Sequence, residues 1–271
     1  MRPRHATALT LAVIFVLWEI AGDLDLVASG ALPSPTEIVA QFWRDKADYW
    51  PHVLATARTA AIGFAIGNTV AILAVILFVR VPVTERLARG INIAIFALPP
   101  IAIVPVLVIA LPGEGARLAL SAIAVYFPTM TAMMVGLKGV DPRAVDVVRA
   151  YGGGDNAVMR WVRLRASLPA LLGGLRVAAP NAVLGAILAE FGSGSRYGLG
   201  AYLLGSLGRA DPARLWGIGL AATAIAGLGY ALAALAASRV TEASRAVRFT
   251  ASPKMSSRVA TTMPKCSPAC T

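Results

Sequence analysis

Charge is scarce in this 271-residue chain. Asp, Glu, Lys and Arg together make up 14% of it, against roughly 25% in ordinary soluble domains. Cysteine is scarcer still: Cys266 and Cys270 are the only two, both within the last six residues. They are too few for a disulfide framework or for a zinc site of about four ligands, and they read as incidental tail residues. The two histidines, His5 and His52, have no partner spacing suited to acid–base or metal chemistry. The phosphate loop G-x-x-x-x-G-K-[ST] is missing too; Gly152-Gly153-Gly154 is followed by Asp155, not by Lys-Ser. With only scattered carboxylates, the chain is read as no enzyme. It has no catalytic residues, no metal ligands and no cofactor of its own.

What is abundant is apolar. Hydrophobic residues make up 57% of the chain, with a mean hydropathy of +0.69. A soluble chain of this length has too little interior to hide that much apolar surface, so lipid is its natural solvent. A net charge of +11 would point to nucleic acid in a soluble protein. Here the basic residues stand between apolar runs, so membrane topology accounts for them and nucleic acid is not expected as a partner.

Stretches long enough to cross a hydrocarbon core of about 30 Å fall at residues 8–28, 53–79, 90–111, 116–137, 168–191 and 213–238. The first follows Arg2, Arg4 and His5; without a clear A-x-A cleavage site it reads as a span and not as a signal peptide. Gly63 and Gly67 form a small-xxx-small pair suited to close helix packing. Pro99, Pro100 and Pro105 interrupt the third span and free backbone carbonyls, which a membrane tolerates only where protein or water lines the backbone. Residues 192–212 read as a Gly/Ser-rich loop, and 241–271 as a disordered tail. With the N-terminus inside, seventeen Lys and Arg lie on the inner side and seven on the outer. That bias predicts a multi-pass protein with both termini cytoplasmic. The expected fold is an all-α polytopic membrane protein with about six transmembrane helices, its membrane domain covering residues 1–240.

The break at 138–167 is long, basic and patterned. Ala144, Val147, Val148 and Tyr151 share one helical face, and Asp146 and Arg149 lie on the other. The triple glycine stops that helix. Asp155 is placed to cap a second short helix whose apolar side carries Val158, Trp161 and Val162, and Ser167 to cap the fifth span. From the residues alone, such a face either lies on lipid headgroups or docks into a partner's groove.

This segment resembles the EAA loop of permease subunits of binding-protein-dependent ABC importers. Asp146-Val147-Val148 stands at the Glu-Ala-Ala of that pattern, Gly152 at its glycine, and Val162 and Leu164 at its Ile-x-Leu. The run Leu168-Pro169-Ala170-Leu171-Leu172-Gly173-Gly174-Leu175-Arg176 continues it in the manner of the nitrate, sulfonate and taurine branch. So do Leu32-Pro33-Ser34-Pro35-Thr36-Glu37 and the stretch from His52 through Thr56 and Arg58 to Gly63-Phe64. The resemblance covers about residues 9–240. The chain departs from the pattern at Asp146, Val148 and Arg165, and has Ala110-Leu111-Pro112-Gly113-Glu114-Gly115 where Trp-Phe-Gly-x-Gly is common.

The resemblance implies a type I ABC importer permease in a bacterial inner membrane, forming the pathway for a small solute of sulfonate, taurine, nitrate or pyrimidine-precursor type. It implies a cytoplasmic ABC ATPase dimer that carries ATP and Mg, a second permease copy, and a periplasmic or lipid-anchored substrate-binding protein. Asp146, Val147, Val148, Arg149, Tyr151, Gly152, Val162 and Leu164 would couple to the ATPase. Pro99, Pro100, Asn181 and Glu190 are candidates for the pathway or its gate. The competing expectation is a self-sufficient secondary transporter or channel, which would favour inverted internal repeats.

Overall fold

The computed structural model describes residues 3–26 and 30–250. Among these, eleven α-helices and one π turn follow one another: α1 Pro3–Asp23, α2 Pro35–Arg44, α3 Lys46–Arg80, α4 Pro82–Ala97, α5 Pro100–Ala110 and α6 Gly115–Lys138. They continue as α7 Pro142–Ala150, α8 Asp155–Ala157, a π turn at Val158–Arg163, α9 Leu164–Gly192, α10 Leu199–Leu207 and α11 Pro212–Thr250. Five stretches are long and apolar enough to cross a membrane: Ala6–Asp23, Lys46–Arg80, Gly115–Lys138, Asp155–Gly192 and Pro212–Val240. The pair Pro82–Ile95 and Pro100–Ala110, bent by 105°, makes a sixth if counted as one span.

Proline chemistry produces that bend. Leu98 precedes Pro99, and Pro99 precedes Pro100. A residue before proline is pushed out of the helical region, and both adopt extended ψ values, 132° and 122°. Two successive extended residues break the chain direction, so the expected third span is two helices meeting at an angle. Pro51, Pro128, Pro169 and Pro180 each lie inside a continuous helix.

The centre of the bundle is α6 laid along α9 and α3, and small residues hold these three together. A Cβ on Gly63 would collide with the Ser121 side chain, and one on Gly67 with the Ala122 carbonyl. One on Gly185 would come within 2.9 Å of Ser121 Cα. Such close approach substitutes for the hydrophobic drive that lipid does not supply between helices. Polar bonds cross the same seam: the Ser121 hydroxyl donates to the Ala182 carbonyl at 2.9 Å, and the Thr129 hydroxyl to Asn68 Oδ1 at 2.6 Å. Toward one end, Val75, Phe78, Met133, Leu137 and Met159 form a packed apolar cluster. By contrast α1 turns mostly exposed apolar side chains outward. It touches the bundle at its last turns, where Trp18 donates to the Pro33 carbonyl at 3.1 Å.

Two stretches differ from the sequence reading. Residues 192–212, expected as loop, contain α10, whose Leu199, Gly200, Tyr202 and Ser206 are buried. Of the expected tail at 241–271, residues 241–250 continue α11 as helix. Residues 251–271, with Cys266 and Cys270, lie outside the described residues.

Candidate functional site

The patterned break between α6 and α9 forms a hairpin of unequal arms. Its first arm, α7, starts where Asp141 accepts a hydrogen bond from the Arg143 amide at 2.9 Å, with Pro142 at the first helical position. It ends at Tyr151, where the Gly152 and Gly153 amides donate back to the Arg149 and Val148 carbonyls, both at 2.9 Å. Gly152 has φ +80°, a left-handed conformation that glycine adopts without steric cost. No residue of α7 is buried. Val147 is 57% exposed and Tyr151 90%.

The expected apolar face is therefore divided. Val148 is half-buried and folds against Gly153, while Ala144, Val147 and Tyr151 face outward. On the other side, Val145, Asp146 and Arg149 line a cavity of about 540 Å³ together with Phe78, Glu85, Leu137, Lys138 and Arg163. Lys138 reaches both Glu85 carboxylate oxygens, at 2.6 and 2.7 Å, and ties the root of the hairpin to α4.

The second arm is rooted in the bundle. Val158 and Met159 are buried, and Met159 joins the Val75–Phe78–Met133–Leu137 cluster. Val162 and Leu164 are half-buried, and Leu164 packs on that cluster. Trp161 is exposed, with the Arg165 guanidinium 4.5 Å from its ring centre. Here the expectation of a separate second helix fails. Asp155 to Gly192 run on as one 38-residue rod through the π turn. Gly154 is the capping residue, and Asp155, one place inside, pairs with Arg149 at 3.2 Å. Since this rod never stops, Ser167 caps nothing: it is buried, and its hydroxyl donates to the Leu164 carbonyl at 2.9 Å.

At the far end of α9, Glu190 is fully buried. Its Oε2 accepts from the Thr56 hydroxyl at 2.7 Å and from the Gly200 amide at 3.2 Å. Thr56 Oγ1 in turn accepts from the Leu199 amide at 2.8 Å, and His52 Nδ1 from the Gly198 amide at 3.1 Å. Three consecutive amides at the start of α10 thus meet side chains from α3 and α9, which satisfies donors that a helix start leaves open. Gly198 has φ +129°, and a Cβ there would strike the Glu190 carboxylate. Beside this cluster, Arg214 holds Asp45 at 2.6 Å and Asp211 at 3.4 Å. The Arg214 guanidinium keeps the Asp45 carboxyl below its ordinary pKa, against the opposing effect of burial, and the Gln41 amide helps at 2.8 Å.

Of the pathway candidates, Pro100 and Asn181 come together on one cavity of about 280 Å³ between α4, α5, α6 and α9. Pro99 stands at the bend beside it, and Glu190 belongs to the α10 cluster. Sequence reasoning missed Asn92 and Tyr126 on that cavity, and His52 and Thr56 at α10. A lone polar residue in an apolar run carries no periodic signal of its own.

Residues 63–244 match the model of the family described as binding-protein-dependent transport system inner membrane component. The chain belongs to that family. It is an ABC importer permease of the sulfonate, taurine and nitrate branch, with the all-helical type I permease fold. A probable ABC transporter permease protein of Haemophilus influenzae is 27% identical, covering 72% of this chain and 80% of its own length. The riboflavin transport system permease protein RibX of Chloroflexus aurantiacus is 26% identical over 74% and 76% of the two chains. A putative aliphatic sulfonates transport permease protein, SsuC of Bacillus subtilis, is 28% identical over 71% of each. Among the described residues of this permease, no group of three or more His, Cys, Asp or Glu is placed to hold a metal.

Proposed function

We propose that two copies of this chain form the membrane pathway of an ATP-driven importer, and that the 138–167 hairpin couples each copy to a cytoplasmic ATPase. ATP and Mg sit on the ATPase dimer. A periplasmic or lipid-anchored binding protein delivers the solute, of sulfonate, taurine, nitrate or pyrimidine-precursor type. The membrane is the bacterial inner membrane, and both termini are cytoplasmic.

The observation that carries this reading is the inequality of the hairpin arms. The first exposes Val147 and Tyr151 on a helix with no buried residue, while the second is rooted by Val158 and Met159 and continues into α9. An apolar helix face of this kind fits a partner's groove. A push on it passes along a single rod into the bundle. Asp146 and Arg149, behind that face, line the cavity under the first arm. A partner shifts a conformational equilibrium only by differential affinity, and inverting a 1:99 population takes about 5.5 kcal/mol. Docked helices on two permease copies share that demand.

The test is uptake in cells together with co-purification of the ATPase. Tyr151→Asp places a charge in the docking face and leaves every buried contact intact. Uptake should vanish and the ATPase should no longer co-purify, with the permease still in the membrane. Normal uptake by this variant would overturn the coupling role. A self-sufficient transporter would keep working without any ATPase.

A further inference from the structure

The cavity between the bent pair α4–α5 and the central helices α6 and α9 has a definite chemistry. Its volume is about 280 Å³, near the lower end of the range for ligand pockets, about 300 Å³. None of the described residues lining it carries a charged side chain. Three polar side chains converge there: Asn92 from α4, Tyr126 from α6 and Asn181 from α9. The Tyr126 hydroxyl donates to Asn92 Oδ1 at 3.2 Å, which leaves the Asn92 amide N–H groups free to donate. The Asn181 side chain, half-buried in mid-helix, makes no hydrogen bond among the described residues. The rest of the wall is apolar, with Phe127 and Leu120 beside Tyr126.

We infer that this cavity is a stopping place for the transported solute, and that the solute it accepts is an uncharged single-ring heterocycle with hydrogen-bonding edges. This deepens the importer reading and rests on it. Two amide side chains supply both donors and acceptors, which match the alternating edge groups of such a ring. Tyr126, Phe127 and the aliphatic wall cover its faces. A sulfonate or nitrate would give up its hydration here without meeting a cation, a large uncompensated cost. The nearby cation on α9, Arg176, stands five residues before Asn181, roughly 140° around the helix, and is not part of the lining. The 105° bend at Pro99 and Pro100 opens the space: a straight third span would lay its side chains along α6 and α9.

The full-length permease, reconstituted in nanodiscs, tests this with labelled cytosine as probe. Saturable binding is expected, and a large excess of unlabelled taurine or nitrate should not compete. Asn181→Leu, close to isosteric but without the amide, should weaken cytosine binding at least about tenfold. Asn92→Ala, a truncation that introduces no new bulk, should act in the same direction and guards against misfolding of the first variant. Each variant's fold is checked by monodisperse elution. Absence of cytosine binding, competition by taurine or nitrate equal to that of cytosine itself, or unchanged binding in both variants would overturn the assignment. Co-purification of the ATPase is read in parallel. If it persists while cytosine fails to bind, the importer reading stands and the cavity's role falls. If cytosine binds and no ATPase is retained, the importer reading falls.

Discussion

At the α10 end of the bundle, three consecutive backbone amides each meet a side-chain acceptor, and one acceptor is a fully buried carboxylate, Glu190. At the α7 end, no residue of the helix is buried and Tyr151 is 90% exposed. Among the described residues, the chain thus closes one end with directional polar bonds and leaves the outward face of α7 at the other end uncovered. A buried polar network fixes one arrangement, because breaking any member leaves a partner unsatisfied. An exposed apolar helix makes no such demand and is free to gain contacts from outside. One end is built to stay assembled within the subunit; the other, on the coupling role proposed above, is where the ATPase docks.

Substitutions can break that comparison at either end. The largest effect is expected at Gly152. Gly152→Pro removes the amide that bonds the Arg149 carbonyl and cannot adopt φ +80°. Uptake should fall to background while the membrane level of the protein, read by immunoblot, stays near normal, since α7 contributes nothing buried. Retained uptake would show that the turn is dispensable.

Next comes the pinned end. Glu190→Ala strands the Thr56 hydroxyl and the Gly200 amide in a buried site, and thermal unfolding in detergent should show a loss on the order of 3 kcal/mol. Glu190→Gln keeps an acceptor in place and should cost about 1 kcal/mol. Equal losses for the two variants would mean that volume, and not hydrogen bonding, holds α10.

Asp45 sharpens the picture with pH. Asp45→Asn removes the charge that Arg214 holds and should cost about 2 kcal/mol at neutral pH. The folded carboxyl lies below its unfolded pKa of about 3.9, so its stabilisation is complete above that value and fades as pH falls through the folded pKa. Wild type and variant should therefore differ at pH 7 and at pH 5, and converge only in stronger acid. Convergence already at pH 6 would contradict the Arg214 pairing. The smallest effect belongs to Lys138→Ala at the hairpin root. Its pair with Glu85 is half exposed, and losing it should cost less than about 1 kcal/mol, with a dependence on salt.

Much of the bundle was legible from the sequence because lipid imposes long apolar runs, and a small-xxx-small pair such as Gly63 and Gly67 has few other uses there. The hairpin's position was legible as well, since its charges interrupt those runs and Gly152 punctuates them. The second arm was misread at Asp155 and Ser167. Asp155 does stand at a helix start, but one place past the capping Gly154, and Ser167 lies within one rod held by Met159 and the cluster around it. The sharpness of the bend at Leu98 and Pro99 follows from two successive pre-proline positions and could have been read from them. The α10 cluster could not. Glu190, Thr56, His52 and Gly198 are up to 146 residues apart, and only tertiary packing brings them together.

Where Gly63, Gly67 and Gly185 face Ser121 and Ala122, the clearance between α3, α6 and α9 is less than one methyl group. Teeth that fine do not permit gliding: to slide one helix by a single residue would drive a side chain into each notch. Sliding is blocked at these notches, and the three helices are packed to move together as one slab.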